Sequence, residues 1–404
     1  MPRKKILYIS GSIGLGHVSK DFAIAEKIRA QNPEVEITWL AADPADIVLE
    51  TKGEYLHPYS KQFASYSAFA ENASKGTRLN LFNYVLSSRR GWIRNVKIFK
   101  QIITEEHFDL VVGNETYEIM IALIFKLLKI GIPFVIIYDF LGLDSMSGRM
   151  SERIGIYILN WIWTKDYKIF SAKNMQALFV GEPEDIPDKK LGFLLPNRRE
   201  YAKVNYKFIG YIILFDPPKY NDKIKIREKL GYGEAPLIVC SIGGTSIGKG
   251  LLDLCNQAYP IIKEKFPGLR MVLVAGPRLA PETIEAHAGV EVRGFVPDLF
   301  QHYAACDLAI VQGGFSSTLE LTALRRPFIF FPIEGHSEQE SVAKHLARYN
   351  AGIKMYYYRT TPDSLAGQVI SNLNKEVSYR PINTDGAQKA AQLIYQLLKS
   401  EAPQ

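Results

Sequence analysis

His17 closes a glycine-rich turn, Gly11-Ser12-Ile13-Gly14-Leu15-Gly16-His17, set between a short apolar run and an amphipathic one. An imidazole at the mouth of such a turn titrates near neutrality and can take a proton from a hydroxyl as a general base. The bland alternative is a helix-start histidine bonded to its own backbone. Glu115 lies just beyond the apolar run Leu110 to Gly113, where a carboxylate could orient His17 and steady its protonated form. Asn114 and Glu118 are rivals for that task, and a simple helix-start charge is an equal alternative.

A second set of residues is suited to an anion. Gly313 and Gly314 follow the apolar run Leu308 to Val311 and open a helix expected from about Ser317, beside Ser316. Free backbone N–H groups at the positive end of a helix suit a phosphate. Ser317 and Glu320 have capping-box spacing, so a helix cap is the bland role for that glutamate. Gly243-Gly244-Thr245-Ser246-Ile247-Gly248-Lys249-Gly250 is a near miss for a nucleotide P-loop, because Gly250 stands where a magnesium-binding hydroxyl belongs. The better reading is a glycine turn facing a diphosphate, with Thr245 or Ser246 adding a hydroxyl; an NTPase is the lesser alternative. Ser337 and Glu340 suggest a further capping box, with Glu338 and Gln339 in an exposed first turn where an amide could meet vicinal sugar hydroxyls. His336 beside them reads as loop structure.

These residues need strands and helices to hold them. Apolar runs at Lys5 to Ser10, Glu36 to Ala41, Leu110 to Gly113, Phe134 to Tyr138 and Ala177 to Val180 alternate with helical segments such as Ser19 to Ala30. The pattern restarts after Phe215-Asp216-Pro217-Pro218-Lys219, with runs at Leu237 to Ser241, Met271 to Ala275, Val290 to Arg293, Leu308 to Val311 and Phe328 to Phe331. Such alternation predicts an α/β chain of two doubly wound, Rossmann-like domains with parallel sheets. The expected bounds are 1–212, a linker at 213–222, 223–385, and a closing helix and tail at 386–404. In open sheets of this kind ligands sit at the carboxyl ends of strands, so two such domains facing a cleft would suit joining two substrates.

Length and composition agree with this. A chain of 404 residues exceeds one core, and its 47% hydrophobic and 23% charged residues are those of a globular protein. Cys240, Cys255 and Cys306 have no metal spacing and read as reduced core thiols in a cytoplasmic protein. No signal segment and no bilayer-spanning run is apparent. The net charge is +7, and it is uneven. Lys75, Arg78, Arg89, Arg90, Arg94, Lys97 and Lys100 lie in a stretch without acids, interleaved with Trp92, Ile93, Val96 and Phe99. That suits an anionic membrane surface or substrate; the alternative is a solvated face over a buried stripe. The Ile154 to Phe170 run, with Trp161, Trp163 and Tyr167, carries the same hint of a membrane-interfacial acceptor. No nucleic-acid motif accompanies the charge.

With these residues in view, the chain resembles glycosyltransferases of the GT-B fold. The likeness is to the branch holding the N-acetylglucosaminyltransferase of lipid II synthesis and to UDP-glycosyltransferases of natural products. It is strongest over Pro236 to Gly352 and Ser10 to Ala30, and it does not extend to about 55–105 and 140–175, where the family binds acceptors. The resemblance implies that Gly14, Gly16 and His17 form the turn carrying the acceptor's base, and that Gly243, Gly244 and Thr245 lie near the donor diphosphate. It implies a backbone contact to the nucleobase at Val296, phosphate on Gly313, Gly314, Ser316 and Ser317, ribose hydroxyls on Glu320, and donor sugar at Gln339. The chain departs from plant relatives in having Gln312 where they carry histidine, and in Val18-Ser19-Lys20 after His17. The expectation is an inverting hexosyltransferase that uses a nucleotide sugar, UDP- or dTDP-linked, on a hydrophobic or lipid-linked acceptor. No Asp-x-Asp motif is present, so neither metal nor other cofactor is expected. An epimerase or hydrolase, or a non-catalytic nucleotide-sugar-binding protein, are the rival readings.

Overall fold

The computed structural model describes residues 3–11, 16–65, 74–75, 78–79, 81–145, 149–244, 246–333 and 337–399, with side chains omitted at 74–75, 78–79, 81–87, 246 and 337–341. The chain forms two compact units: one of Met1–Ala73, Asn80–Leu214 and Asn383–Gln404, the other of Ser74–Leu79 and Phe215–Ile382.

The strands are β1 (Lys5–Ile9), β2 (Glu36–Leu40), the short antiparallel pair β3 (Ser74–Lys75) and β4 (Arg78–Leu79), β5 (Leu110–Asn114), β6 (Phe134–Tyr138), β7 (Met175–Val180), β8 (Lys207–Gly210), β9 (Leu237–Ser241), β10 (Arg270–Val274), β11 (Val290–Arg293), β12 (Leu308–Gln312), β13 (Phe328–Phe331) and β14 (Ile353–Lys354). The helices are α1 (Gly16–Gln31), α2 (Ala45–Thr51), α3 (Leu81–Glu105), α4 (Tyr117–Ile124), α5 (Met150–Trp163), α6 (Tyr167–Phe170), α7 (Arg198–Asn205), α8 (Lys223–Leu230), α9 (Lys249–Lys265), α10 (Phe300–Ala305), α11 (Phe315–Ala323), α12 (Ser337–Arg348), α13 (Pro362–Asn372) and α14 (Gly386–Lys399).

Two six-stranded sheets result, in the orders β2-β1-β5-β6-β7-β8 and β11-β10-β9-β12-β13-β14. Every pairing in them is parallel. β5, β6, β9, β12 and β13 are buried along their whole length, as strands covered by helices on both faces must be. Each sheet starts in its middle: β1 lies between β2 and β5, and β9 between β10 and β12. Chain order reverses at those two places, which is where doubly wound sheets open a crevice for ligands.

One device recurs at the opposite edge of each sheet. The Asp109 carboxylate accepts the Lys5 N–H at 2.8 Å, and the Asp109 N–H donates to the Lys5 carbonyl at 2.8 Å. Asp307 does the same to Leu237, at 2.7 and 2.8 Å. Each aspartate precedes the strand beside the first one, so it pins the register of the two strands that flank the crevice. Asp307 is buried and paired with Arg227 and Lys223 from α8, which keeps its charge compensated.

α14 returns to the first unit, where it packs on α1 and β8 through Ala387, Ala390, Ala391, Ile394, Leu397 and Leu398. Its first residue donates to the Tyr211 carbonyl at 2.9 Å; a Cβ on Gly386 would lie 2.5 Å from that oxygen, so only glycine lets the helix start there. α1 begins at Gly16, three residues before the sequence reading placed it, because fully buried Val18 already belongs to its apolar side. His17 is therefore part of the helix's first turn. In the described part of α3, Ile98, Phe99 and Ile102 enter the core with Val96 against them, while Arg89, Arg90, Arg94, Lys97 and Lys100 face outward. That half of the basic segment is a solvated face over a buried stripe; residues 66–73 and the side chains of 74–87 lie outside the described residues. The three cysteines are buried free thiols.

Gly276 follows β10 with φ +76°, and a Cβ there would meet the Gly243 carbonyl at 2.2 Å. Gly276→Ala combines a left-handed strain with overpacking against backbone, and is expected to cost about 3 kcal/mol in denaturant unfolding. Gly268→Ala, where a Cβ meets nothing, should leave stability within about 1 kcal/mol.

Candidate active site

Three strand ends of the first sheet converge on His17. Glu115 follows β5, Asp139 follows β6, and His17 sits in the first turn of α1 after β1. Its Nε2 lies 3.3 Å from Glu115 Oε2 and its Nδ1 lies 3.3 Å from Asp139 Oδ2. One ligand-type atom from each of the three lies within 4.8 Å of the others. Lys20, one turn along α1, forms an ion pair with the same Asp139 oxygen. All four side chains are buried. Glu115 has a left-handed backbone, φ 53°, uncommon for a residue with a side chain and a form of strain that concentrates at working sites. The Tyr117 hydroxyl donates to its Oε1 at 3.1 Å and fixes its second oxygen.

Burial is the main cause of a His17 pKa well below 6.5, and the Lys20 charge adds to it, while an interaction with Asn114 opposes them. The imidazole is thus neutral at neutral pH. Both ring nitrogens face a carboxylate oxygen at 3.3 Å, and Nδ1 makes no hydrogen bond among the described residues.

Beneath this group lies a second buried carboxylate. Asp21 accepts from Ser10 Oγ at 2.6 Å, Asn114 Nδ2 at 2.8 Å and Tyr8 Oη at 3.0 Å, so it ties α1 to the ends of β1 and β5. Asn114 donates to Asp21 and also interacts with the His17 ring, Glu118 accepts from Asn95 on α3, and Glu115 is the acid that reaches the ring. Sequence reading missed Asp139, Lys20 and Asp21. The signal for Asp139 was available, since it follows an apolar run just as Glu115 does.

The second unit shows the same logic of strand ends. Gly243 follows β9 with φ +76°, and the chain passes through Thr245, outside the described residues, into a turn at Ser246–Gly248. A Cβ on Gly248 would lie 3.2 Å from Gln312 Nε2, so the last side chain of β12 lies over this turn. Gly313 donates to the Phe331 carbonyl at 3.1 Å, and Gly314 caps α11. That helix begins at Phe315, two residues earlier than expected, because Gly314 adopts the extended cap conformation (φ −71°, ψ 142°). Ser317 is consequently the third helical residue, Glu320 lies in the second turn, and the anticipated capping box does not form. Ser317 instead hydrogen-bonds Tyr303, whose hydroxyl also meets Ser241 Oγ at 2.6 Å, joining α11, α10 and β9. Burial, then the charge of Asp298, raises the Glu320 pKa to about 8. The loop carrying half-buried Val296 and Asp298 is therefore close to Glu320. Ser316 is half-buried one residue into the helix. Ser337 is itself the first residue of α12; Glu338 and Gln339 fall in its first turn with side chains outside the described residues, as do Gly14 and His336 entirely. Lys249 is paired with Asp253 one turn along α9 at 3.0 Å, an arrangement unlike a P-loop lysine committed to phosphate.

Residues 238–398 match the model of the glycosyltransferase family 28 C-terminal domain. Over nearly its whole length the chain is similar to an uncharacterized glycosyltransferase of Methanosarcina mazei, 24% identical across 93% of this chain and 91% of the relative. A UDP-N-acetylglucosamine--N-acetylmuramyl-(pentapeptide) pyrophosphoryl-undecaprenol N-acetylglucosamine transferase of Methylorubrum extorquens is 29% identical across 34% of this chain and 39% of its own. Among solved structures, the glycotransferase of kitacinnamycin superposes with a TM-score of 0.57 at 16% identity, covering 99% of this chain and 96% of that one. The fold is that of GT-B glycosyltransferases, and the chain is a glycosyltransferase whose residues 238–398 are similar to the family 28 C-terminal domain.

Asp21 gives a pH test of the buried network. Burial raises its pKa from 3.8 to about 7, so the folded state holds this proton more tightly than the unfolded chain does. Its contribution to stability is complete below about pH 4 and is lost as pH rises toward about 7. Asp21→Asn should abolish that decline, measured as the difference in unfolding free energy between about pH 5 and about pH 8.

Proposed function

We propose that the protein is an inverting transferase that moves a hexose-type sugar from a nucleotide-diphosphate sugar, UDP-linked, to a hydroxyl of a hydrophobic or lipid-linked acceptor. The observation that carries this reading is the neutral imidazole of His17 held between Glu115 and Asp139 at the switch point of a doubly wound sheet. The unprotonated ring nitrogen of His17 takes the proton as the acceptor oxygen attacks the anomeric carbon, and the bond from that carbon to the diphosphate breaks on the opposite side. Glu115, beside Nε2, orients the ring and stabilises the imidazolium that forms, the role of the acid in a histidine–acid pair. Lys20 neutralises Asp139 and so removes a charge that would otherwise repel the approaching lone pair.

The leaving diphosphate is assigned to the N–H groups of Phe315 to Ser317, in the first turn of α11 beyond Gly313 and Gly314, and to the Gly243-Gly244 turn. Preorganised donors of that kind supply the largest share of catalysis when charge develops on a leaving group. Glu320 is assigned to the ribose hydroxyls, Val296 backbone to the base, and Glu338 and Gln339 to the donor sugar. His17, Glu115 and Asp139 have the separation of a cation site, but the Lys20 ammonium already lies on Asp139. We therefore read the group as a proton relay and the reaction as independent of metal. The similar transferase of Methylorubrum extorquens is named for a UDP-sugar and a pyrophosphoryl-undecaprenol acceptor, which supports the same classes here. No helix among the described residues is long and apolar enough to cross a membrane; separately, a lipid-linked acceptor would bring a cytoplasmic enzyme to the membrane surface.

Two measurements test this. Thermal shifts with UDP, dTDP, GDP and ADP, in EDTA, should favour UDP; ligand at about a hundred times its dissociation constant adds about 2.7 kcal/mol. No shift with any of them would remove the donor assignment. His17→Ala should lower kcat by about 10²- to 10⁴-fold with the UDP shift intact. Because the His17 pKa is depressed, the wild-type kcat/KM should stay level as pH falls through about 6.5 and decline only below it.

A further inference from the structure

The two carboxylates that flank His17 are each followed closely by an aromatic ring. Phe140 comes directly after Asp139, and Tyr117 two residues after Glu115. Trp163, the last residue of α5, meets both of them edge-on, 5.6 Å and 68° from Phe140 and 5.4 Å and 61° from Tyr117. Tyr117 and Phe140 are also in contact at 5.9 Å, so the three half-buried rings form a closed triangle. Tyr138, buried in β6 one residue before Asp139, joins it at 5.8 Å from Trp163 and 6.1 Å from Tyr117. Edge-to-face contacts of this kind fix the orientation of a ring as well as its distance.

The indole is itself anchored. Its N–H donates to the Tyr206 hydroxyl at 3.0 Å, and that hydroxyl donates to buried Asp166 at 2.6 Å, whose other oxygen accepts from Tyr201. Three residues earlier on α5, buried Asn160 accepts from the Leu143 N–H at 2.8 Å and donates to its carbonyl at 3.0 Å, which fixes the loop leaving Asp139. At the other end Tyr117 holds Glu115 twice: its N–H donates to the Glu115 carbonyl at 2.8 Å and its hydroxyl to Oε1 at 3.1 Å. Glu115 has φ 53°, and a side-chain-bearing residue keeps such a backbone only where its surroundings over-determine it. A continuous path of contacts thus runs from Asp166 through Tyr206, Trp163 and Tyr117 to Glu115 and His17.

We infer that Tyr117 and Trp163 are positioning residues of the transfer reaction: the indole braces the rings behind both carboxylates, and the tyrosine hydroxyl holds Glu115 against Nε2 of His17. An acid displaced from the ring would neither orient it nor steady the imidazolium, so the separation of the two acids has to be set by residues behind them. This deepens the assignment of His17 as the base and rests on it for its catalytic meaning. The brace belongs to the resting protein, so it is measured apart from transfer.

The test is a nitrogen-15 spectrum of the imidazole rings in histidine-labelled protein at about pH 7, without donor or acceptor, the His17 signals being assigned by their loss in His17→Ala. Glu115→Gln gives the displacement of those signals when the acid is made neutral. Tyr117→Phe, which keeps the ring and removes the hydroxyl, should displace them at least about half as far, and should add nothing further in the Glu115→Gln background. Trp163→Ala should move them in the same direction, and Trp163→Phe, which retains a ring against Tyr117 and Phe140, should bring them back toward the wild type. Signals unmoved by Tyr117→Phe, or moved equally with Glu115 and with glutamine beside the ring, would overturn the proposal. So would a Trp163→Ala protein with a lowered melting temperature and unchanged His17 signals, the behaviour of plain core packing. If Trp163→Ala does not fold, Tyr117→Phe alone decides. These outcomes leave the base assignment standing, whereas transfer that survives His17→Ala would remove the base and the brace together.

Discussion

The rest of the molecule depends on where the first strand of each sheet is pinned. Asp109 and Asp307 each exchange two hydrogen bonds with the first residue of a central strand, one through the backbone and one through the carboxylate. Side chains alternate faces along a strand, so a slip of one residue would turn every strand-end group to the wrong side. Fixing the amino edge therefore fixes the carboxyl edge, four or five residues away. At that edge stand His17, Glu115 and Asp139 in one unit and the two glycine turns in the other.

The chemistry at the first of these edges is a matter of compensation. Two carboxylates, an imidazole and an ammonium are buried together, a combination that would be unstable if any member faced the others unpaired. Lys20 balances Asp139, and Glu115 is held by Tyr117 while it faces the ring. The balance leaves His17 uncharged, which is the state a base needs. Asp21 below them shows the opposite arrangement: three donors surround its carboxylate, and burial still outweighs them. Its place is structural, binding the helix that carries His17 to the strands that carry Ser10 and Asn114.

Much of this could be read before the coordinates. Alternating apolar runs gave the two doubly wound sheets, and glycine pairs after buried runs marked the strand ends where ligands gather. Glu115 was found by its place after β5. Asp139 follows β6 in an equivalent place, but no glycine turn or capping pattern in the sequence sets it apart. Helix starts were displaced at His17 and Ser317: Val18 and Phe315 already belong to their helices, and the glycine cap before Phe315 leaves no side-chain signature. The Ser317–Glu320 spacing looked like a cap and proved to be two turn positions inside a helix. Lys20 and Asp21 were invisible because single charges on an amphipathic helix are ordinarily solvated. The place of Trp163 was equally beyond sequence, since only the fold shows that it meets the rings following Glu115 and Asp139.

The return of α14 to the first unit has a consequence for how the chain is made. The second unit is complete in sequence by Ile382, whereas the first lacks the helix that covers α1 and β8 until residues near Lys399 have been synthesised. A ribosome working from the amino end thus releases every part of the second unit by Ile382 while the first waits with an apolar helix surface uncovered. The unit begun first is finished last, and truncations that stop short of Gly386 should burden chaperones through the amino-terminal half.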